Sequence, residues 1–135
     1  MKCSDFTILF ADDDAGARAI YKKAFEKEGF KVLLEEGGTQ VMAVLKANKV
    51  DLLVLDLEMP GMNTLELFPY LDMNYPRLPV IIVSGRYQGL TEEFMARGYK
   101  VKIFLNKPVA ISTLKENIFK LLKIDPEEKA TAQKS

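Results

Sequence analysis

Five short apolar runs divide the chain: Phe6 to Ala11, Lys31 to Leu34, Leu52 to Leu55, Val80 to Val83 and Lys102 to Leu105. Several are apolar at consecutive rather than alternate positions, the pattern of strands buried on both faces in a parallel sheet covered by helices. Between the runs the period changes to three and four. Ala17, Ile20, Tyr21, Ala24 and Phe25 predict one apolar helical face, with Gly29 as its stop. Thr39 is placed to cap a second helix through Val41, Met42 and Leu45. A third follows Thr64 with Leu65, Leu67, Phe68 and Leu71, and Pro69 within it predicts a late start or a kink. Thr91 to Ala96 predicts a short fourth helix, with Glu92 and Glu93 in its first turn and an end near Gly98. Ser112 or Thr113 is placed to cap a fifth, with Leu114, Ile118, Leu121 and Leu122 on one face.

Strand and helix thus alternate five times. Right-handed crossovers then favour an α/β fold with an open, doubly wound parallel sheet and helices on both faces. One domain is expected over residues 5–124, with no internal repeat beyond the alternation itself. From Asp125 the sequence turns polar (DPEEKATAQKS), which reads as a frayed tail or the start of a linker over residues 125–135.

Composition narrows the chemistry. The 135 residues are 48% hydrophobic, enough for a core of single-domain size. Lys plus Arg and Asp plus Glu are 19 each, so nothing in the charge balance points to direct nucleic-acid or membrane binding. The single cysteine, Cys3, rules out a disulfide within one chain and reads as a stray thiol at a strand start. Histidine is absent, which removes imidazole acid–base catalysis, histidine metal ligands and any phosphohistidine within the chain itself. No apolar run approaches a membrane span, and MKCSDFTILF lacks the basic and long apolar regions of a signal peptide, so a cytoplasmic protein is the default expectation.

In an open parallel sheet, ligands bind beyond the carboxyl ends of the strands, at a topological switch point. The residues in those places are Asp12, Asp13 and Asp14 after the first run, Asp56 after the third, Ser84 after the fourth, and Asn106, Lys107 and Pro108 after the fifth. Carboxylates crowded together repel, and a hard dication such as Mg²⁺ relieves that repulsion through oxygen ligands. A carboxylate is also a competent nucleophile toward phosphorus. A transferring phosphoryl group is stabilised by a cation, a lysine and a hydroxyl on its three oxygens. Asp13, Asp56, Ser84 and Lys107 provide those groups. Singly each has a plainer role: a helix cap for one of Asp12 to Asp14, turn residues for Asp56 and Ser84, a solvated charge for Lys107. Their joint placement on one sheet edge is what favours the chemical role.

The segments ILFADDDAGAR, DLLVLDLEMPGM, VIIVSG and FLNKP, in that order, resemble the signature segments of response-regulator receiver domains, and the likeness runs from about Phe6 to Leu122. The resemblance implies a flavodoxin-like fold with strand order 2-1-3-4-5. It implies that Asp56 is the phosphoacceptor and that Asp13 is a direct Mg²⁺ ligand, with Asp12 its acidic neighbour acting mostly through water and the Glu58 backbone carbonyl a further ligand. Ser84 matches the switch hydroxyl, Lys107 the lysine that pairs with the phosphoryl group, and Phe104 the aromatic rotamer switch. Lys107–Pro108 matches a peptide bond that is usually cis. Gly85 matches a small residue that leaves room for the donor. The implied partners are a histidine kinase or histidine phosphotransfer protein as donor, and a downstream protein target or a missing effector domain as output. The surface of the fourth helix, fifth strand and fifth helix would carry the signal, with a phosphorylation-linked dimer as one form of it. The implied role is a switch and not an enzyme, with at most self-catalysed phosphoryl transfer and autodephosphorylation.

Three departures from the family pattern stand out. Asn63-Thr64 replaces the frequent Asp-Gly, the Gly98 to Lys107 stretch is about two residues longer than usual by pattern alignment, and Glu58 and Arg86 occupy positions that tune phosphoryl lifetime. Those two are expected to pair across the site and screen attacking water. Two rivals carry the same residue types. Haloacid-dehalogenase-type phosphatases also use an aspartate, a hydroxyl, a lysine and Mg²⁺, but place their metal-binding acids after the lysine and an aspartate where this chain has Glu58. A non-phosphorylated interaction module of the same fold would not require Asp12, Asp13, Asp56, Ser84 and Lys107 together.

Overall fold

The structure is a computed structural model that describes residues 2–59, 64–85 and 103–124. After a 3₁₀ turn at Cys3–Asp5, the described elements run β1 (Thr7–Ala11), α1 (Ala15–Glu28), β2 (Lys31–Glu35), α2 (Gly38–Ala47), β3 (Leu52–Asp56), α3 (Thr64–Asn74), β4 (Val80–Ser84), β5 (Ile103–Asn106) and α4 (Ile111–Leu122). The helix expected at Thr91 to Ala96, together with Asn63, Arg86, Gly98 to Lys102 and the tail from Asp125, lies outside the described residues.

The five strands form one parallel sheet in the order β2-β1-β3-β4-β5, as the resemblance implied. Side chains on a strand alternate between faces, and this divides the core in two. Ile8, Phe10, Leu52, Val54, Ile81 and Val83 face α1 and α4, where they meet Phe25, Leu114 and Ile118. Leu9, Leu53, Leu55, Val80 and Ile82 face α2 and α3, where they meet Val41, Leu45, Leu67, Phe68 and Leu71. Strands β3 and β4 are buried along their whole length, which accounts for their unbroken apolar runs. Strands β2 and β5, each paired on one side alone among the described residues, are only partly buried.

Local departures from expectation have simple causes. Helix α2 begins at Gly38 with Gly37 as N-cap, and the Thr39 hydroxyl donates to Gln40 Oε1 at 3.0 Å instead of capping. The α4 N-cap is Ala110, so Ser112 and Thr113 lie inside the first turn. Helix α3 starts at Thr64 and runs through Pro69 without a late start. Proline at the sixth position removes one intrahelical donor, and burial of the flanking Leu67, Phe68 and Leu71 holds the helix against that loss. Ile20, placed by its spacing on the apolar face of α1, is 56% exposed. Cys3 is buried within the 3₁₀ turn ahead of β1.

Gly29 does close α1, in the left-handed region at φ 107°. Phe30 N–H donates back to the Phe25 carbonyl at 3.1 Å, the wide hydrogen bond of a Schellman end. A Cβ on Gly29 would lie 3.5 Å from Cys3 Cβ, an ordinary contact, so backbone strain alone opposes a side chain there. Gly29→Ala is expected to cost about 1 kcal/mol. That loss appears as a lower urea midpoint with an unchanged slope.

Candidate functional site

The site assembles where β1 and β3 end side by side, Ala11 being in register with Leu55. Of the three consecutive aspartates, Asp14 is the helix cap: its Oδ1 accepts from Gly16 N at 2.9 Å. That leaves the other two free of capping duty. Asp12 is tied down from several sides. Its N–H donates to the Glu35 carbonyl at 3.0 Å. Its Oδ1 accepts from Asp14 N at 3.0 Å, and its carbonyl accepts from Arg18 Nη1 at 2.8 Å. Asp12 is buried and Asp13 exposed. Carboxylate oxygens of Asp12, Asp13 and Asp56 lie within 4.8 Å of one another.

Asp56 ends β3 and is 2% exposed. Its Oδ1 accepts from Glu58 N at 2.8 Å, and its Oδ2 accepts from Lys107 Nζ at 2.8 Å. The same ammonium is 3.8 Å from Asp12 Oδ2. The lysine reaches both acids because β5 delivers it there, with Lys107 N–H donating to the Ser84 carbonyl at 3.0 Å. The Lys107–Pro108 peptide is cis, as the resemblance implied. Ser84, at the end of β4, is buried. Its hydroxyl donates to Glu58 Oε1 at 3.3 Å, and Gly85 N–H donates to the same oxygen at 3.1 Å. Phe104 is partly buried in β5 and packs against the α2 and α3 side of the core.

The electrostatics follow from crowding acids at a half-dry sheet edge. Burial pushes the Asp12 carboxyl above its usual value, and the charges of Asp56 and Asp13 push the same way, against the Asp14 N–H and Lys107. For Lys107, burial works to lower the pKa, but the hydrogen bond and charge of Asp56, with Asp12, carry it above its ordinary value. Tyr21, stacked on Phe10 with ring centroids 4.7 Å apart, has its phenol pushed up to about 12, by burial first and then by the Asp12 charge.

A groove of about 310 Å³ opens from the acids along α1, lined by Asp12, Ile20, Tyr21, Lys107, Pro108 and Ile111. Exposed Ile20 is thus a groove residue. Sequence reasoning did not single out Arg18, which braces the Asp12 carbonyl; its place one turn into α1 from the acidic loop was the available signal. It expected the Glu58 side chain to reach across the site, but not that the Ser84 hydroxyl and the Gly85 N–H would both meet it. The pairing expected between Glu58 and Arg86 involves a residue outside those described.

The donor set suits a hard cation. Three carboxylates supply oxygen ligands only, and those oxygens, all within 4.8 Å of one another, are near enough to share one cation. Among the described residues, one ammonium stands against the three clustered carboxylates.

The family described as the response regulator receiver domain matches residues 8–119. The chain belongs to the response-regulator receiver family. It is a phosphoacceptor module of two-component signalling, and such domains are signalling switches that bind Mg²⁺ at an acidic site. It is 33% identical over 102 residues to the transcriptional regulatory protein GlrR of Escherichia coli K12, a match that covers 76% of this chain and 23% of that protein. It is 28% identical over 134 residues to the response regulator GtcR of Aneurinibacillus migulanus, covering 96% of this chain and 54% of that protein. The chain therefore spans about half or less of the length of these curated relatives. Among solved receiver domains, the CheY-like protein from Methanospirillum hungatei JF-1 superposes with a TM-score of 0.77 at 24% identity, covering 94% of this chain and 98% of that one. TrrA from Thermotoga maritima, solved in complex with Mg²⁺–BeF, gives 0.74 at 24% identity, covering 86% and 98%. Among the described residues of the receiver, no helix is long and apolar enough to cross a membrane.

Proposed function

We propose that Asp56 is the residue that takes the phosphoryl group, from a phosphohistidine on a histidine kinase or histidine phosphotransfer protein. The observation that carries this reading is the convergence of Asp12, Asp13 and Asp56 with the Lys107 ammonium 2.8 Å from Asp56 Oδ2. A carboxylate oxygen of Asp56 attacks phosphorus, and the phosphorus–nitrogen bond to the donor imidazole breaks with its electron pair leaving on nitrogen. Asp12, Asp13, Asp56 and the Glu58 carbonyl would hold Mg²⁺, which would supply positive charge to offset that of the phosphoryl oxygens. Lys107 follows from the attacking carboxylate to a phosphoryl oxygen, and the Ser84 hydroxyl takes another. Movement of Ser84 toward the phosphoryl group lets Phe104 turn inward. That shifts the population of the surface formed by β5, α4 and the segment before β5. This surface signals to a downstream protein, to an effector domain elsewhere in a longer chain, or to a second copy in a phosphorylation-linked dimer. Glu58 and Arg86 tune how long the phosphoryl group survives. The receiver unit is residues 5–124, with 125–135 a polar tail or linker. It works in the cytoplasm and does not itself contact nucleic acid or membrane.

Acetyl phosphate with Mg²⁺ is expected to add one phosphoryl group per chain by intact mass, labile to hydroxylamine as an acyl phosphate is, and to add none in EDTA. Sustained multiple turnover of a generic phosphate ester would overturn this reading in favour of a phosphatase.

A further inference from the structure

Ser84 and Gly85 aim a hydroxyl and a backbone N–H at a single point beside Asp56, and an oxygen already sits there. Glu58 Oε1 accepts from Gly85 N at 3.1 Å and from Ser84 Oγ at 3.3 Å. The sheet register places these donors on the strand beside the acceptor. Asp56 is opposite Val83, one residue before Ser84, and Glu58 N donates to Asp56 Oδ1 at 2.8 Å. Two donors converging on one anionic oxygen, next to a nucleophilic carboxylate, form an oxyanion site. Gly85 belongs to the arrangement as well. A Cβ there would lie 3.2 Å from the same Glu58 oxygen, close enough to press the carboxylate back by a few tenths of an ångström.

We propose that the Glu58 carboxylate is an internal stand-in for the phosphoryl group, an autoinhibitory latch that occupies the Ser84 and Gly85 donors until a phosphoryl oxygen on Asp56 displaces it. The proposal rests on the reading of Asp56 as acceptor. Two anionic oxygens cannot share one pair of donors, so capture of the phosphoryl group includes expulsion of Glu58. The latch thereby subtracts from the free energy that phosphorylation contributes to switching, and it holds Ser84 in place in the unmodified protein. The side chain does this, whereas the metal role assigned to Glu58 belongs to its backbone carbonyl, so side-chain replacement separates the two.

The test is titration with beryllofluoride in saturating Mg²⁺, with ¹H–¹⁵N spectra recorded before and after, on wild type, Glu58→Ala and Glu58→Asp. Glu58→Asp keeps the charge and draws the carboxylate back by one methylene. Both variants are expected to bind beryllofluoride roughly tenfold more tightly than wild type, the scale of one charge-assisted hydrogen bond. In the absence of metal and anion, the Gly85 amide proton is expected to move upfield in both as its charged acceptor withdraws. Equal affinities across the three proteins overturn the latch. Tighter binding by Glu58→Ala with wild-type affinity in Glu58→Asp also overturns it, because overall charge would then be the cause. Failure of wild type to bind beryllofluoride at all, with Asp56→Asn indistinguishable from it, removes the acceptor assignment and the latch together.

Discussion

Asp56→Asn is expected to reduce phosphoryl incorporation from acetyl phosphate to background. Asparagine preserves the shape of the side chain and one carbonyl oxygen, so the Glu58 N–H that now donates to Asp56 Oδ1 at 2.8 Å keeps an acceptor. What disappears is the anionic oxygen: an amide oxygen is a poor nucleophile toward phosphorus, and one of the three clustered carboxylates is lost to the cation. The fold should tolerate the change, since a buried charge leaves and Asp12 still lies 3.8 Å from the Lys107 ammonium. Intact mass after incubation with the phosphodonor and Mg²⁺ reads the first outcome, and the urea midpoint reads the second. Incorporation at the wild-type level with the fold intact would place the acceptor at another residue.

The second large effect belongs to Lys107. Lys107→Ala leaves Asp12 and Asp56, each 2% exposed, without the ammonium that now bridges them. Breaking a fully buried pair costs about 3–5 kcal/mol. The Lys107 side chain is 31% exposed on an open groove, so a loss of about 2–3 kcal/mol in EDTA is the expected value here. Excess Mg²⁺ should restore part of it by binding the folded state alone, while phosphoryl capture stays impaired. The pH dependence has a definite sign. Lys107 has a folded pKa above its ordinary 10.5, so its contribution is complete below that value and fades as pH rises through the folded pKa. The gap between wild type and variant should therefore be flat near neutrality and close in strong alkali. It should also narrow in acid, because burial pushes the Asp12 carboxyl above 3.8 and the carboxyl is protonated early on the way down. A gap in EDTA that Mg²⁺ does not narrow would mean that the lysine stabilises by packing alone.

Much of this was legible in the chain because the rules involved are local or topological. Consecutive apolar residues at Leu52 to Leu55 and Val80 to Val83 mark the two fully buried strands. Strand ends in a parallel sheet share an edge, so Asp12, Asp56, Ser84 and Lys107 had to come out on the same side once the topology was set. Other features depend on three-dimensional competition that spacing does not encode. Ile20 repeats at helical spacing with buried Tyr21, yet it sits at the margin of the stripe and borders a groove. Thr39 and Ser112 have side chains suited to capping, but the backbone turns two residues earlier, at Gly37 and Ala110. Division of labour among Asp12, Asp13 and Asp14 required knowing which one the Gly16 N–H meets. The bend of Glu58 back onto Gly85 is a rotamer choice, and rotamers are set by neighbours far away in sequence.

The ion pair between Lys107 and Asp56 joins residues 51 positions apart. At a synthesis rate of about 5–20 residues per second, the lysine follows the aspartate by roughly 3–10 seconds. For that interval the nascent chain carries its acidic residues with their counter-charge still unmade. Strands β1 and β3 are already synthesised by then, but the edge strand that brings the lysine is not. Cellular divalent cations are the natural tenants of such an interim, so the ion associated with the finished switch is also suited to shield its unfinished precursor.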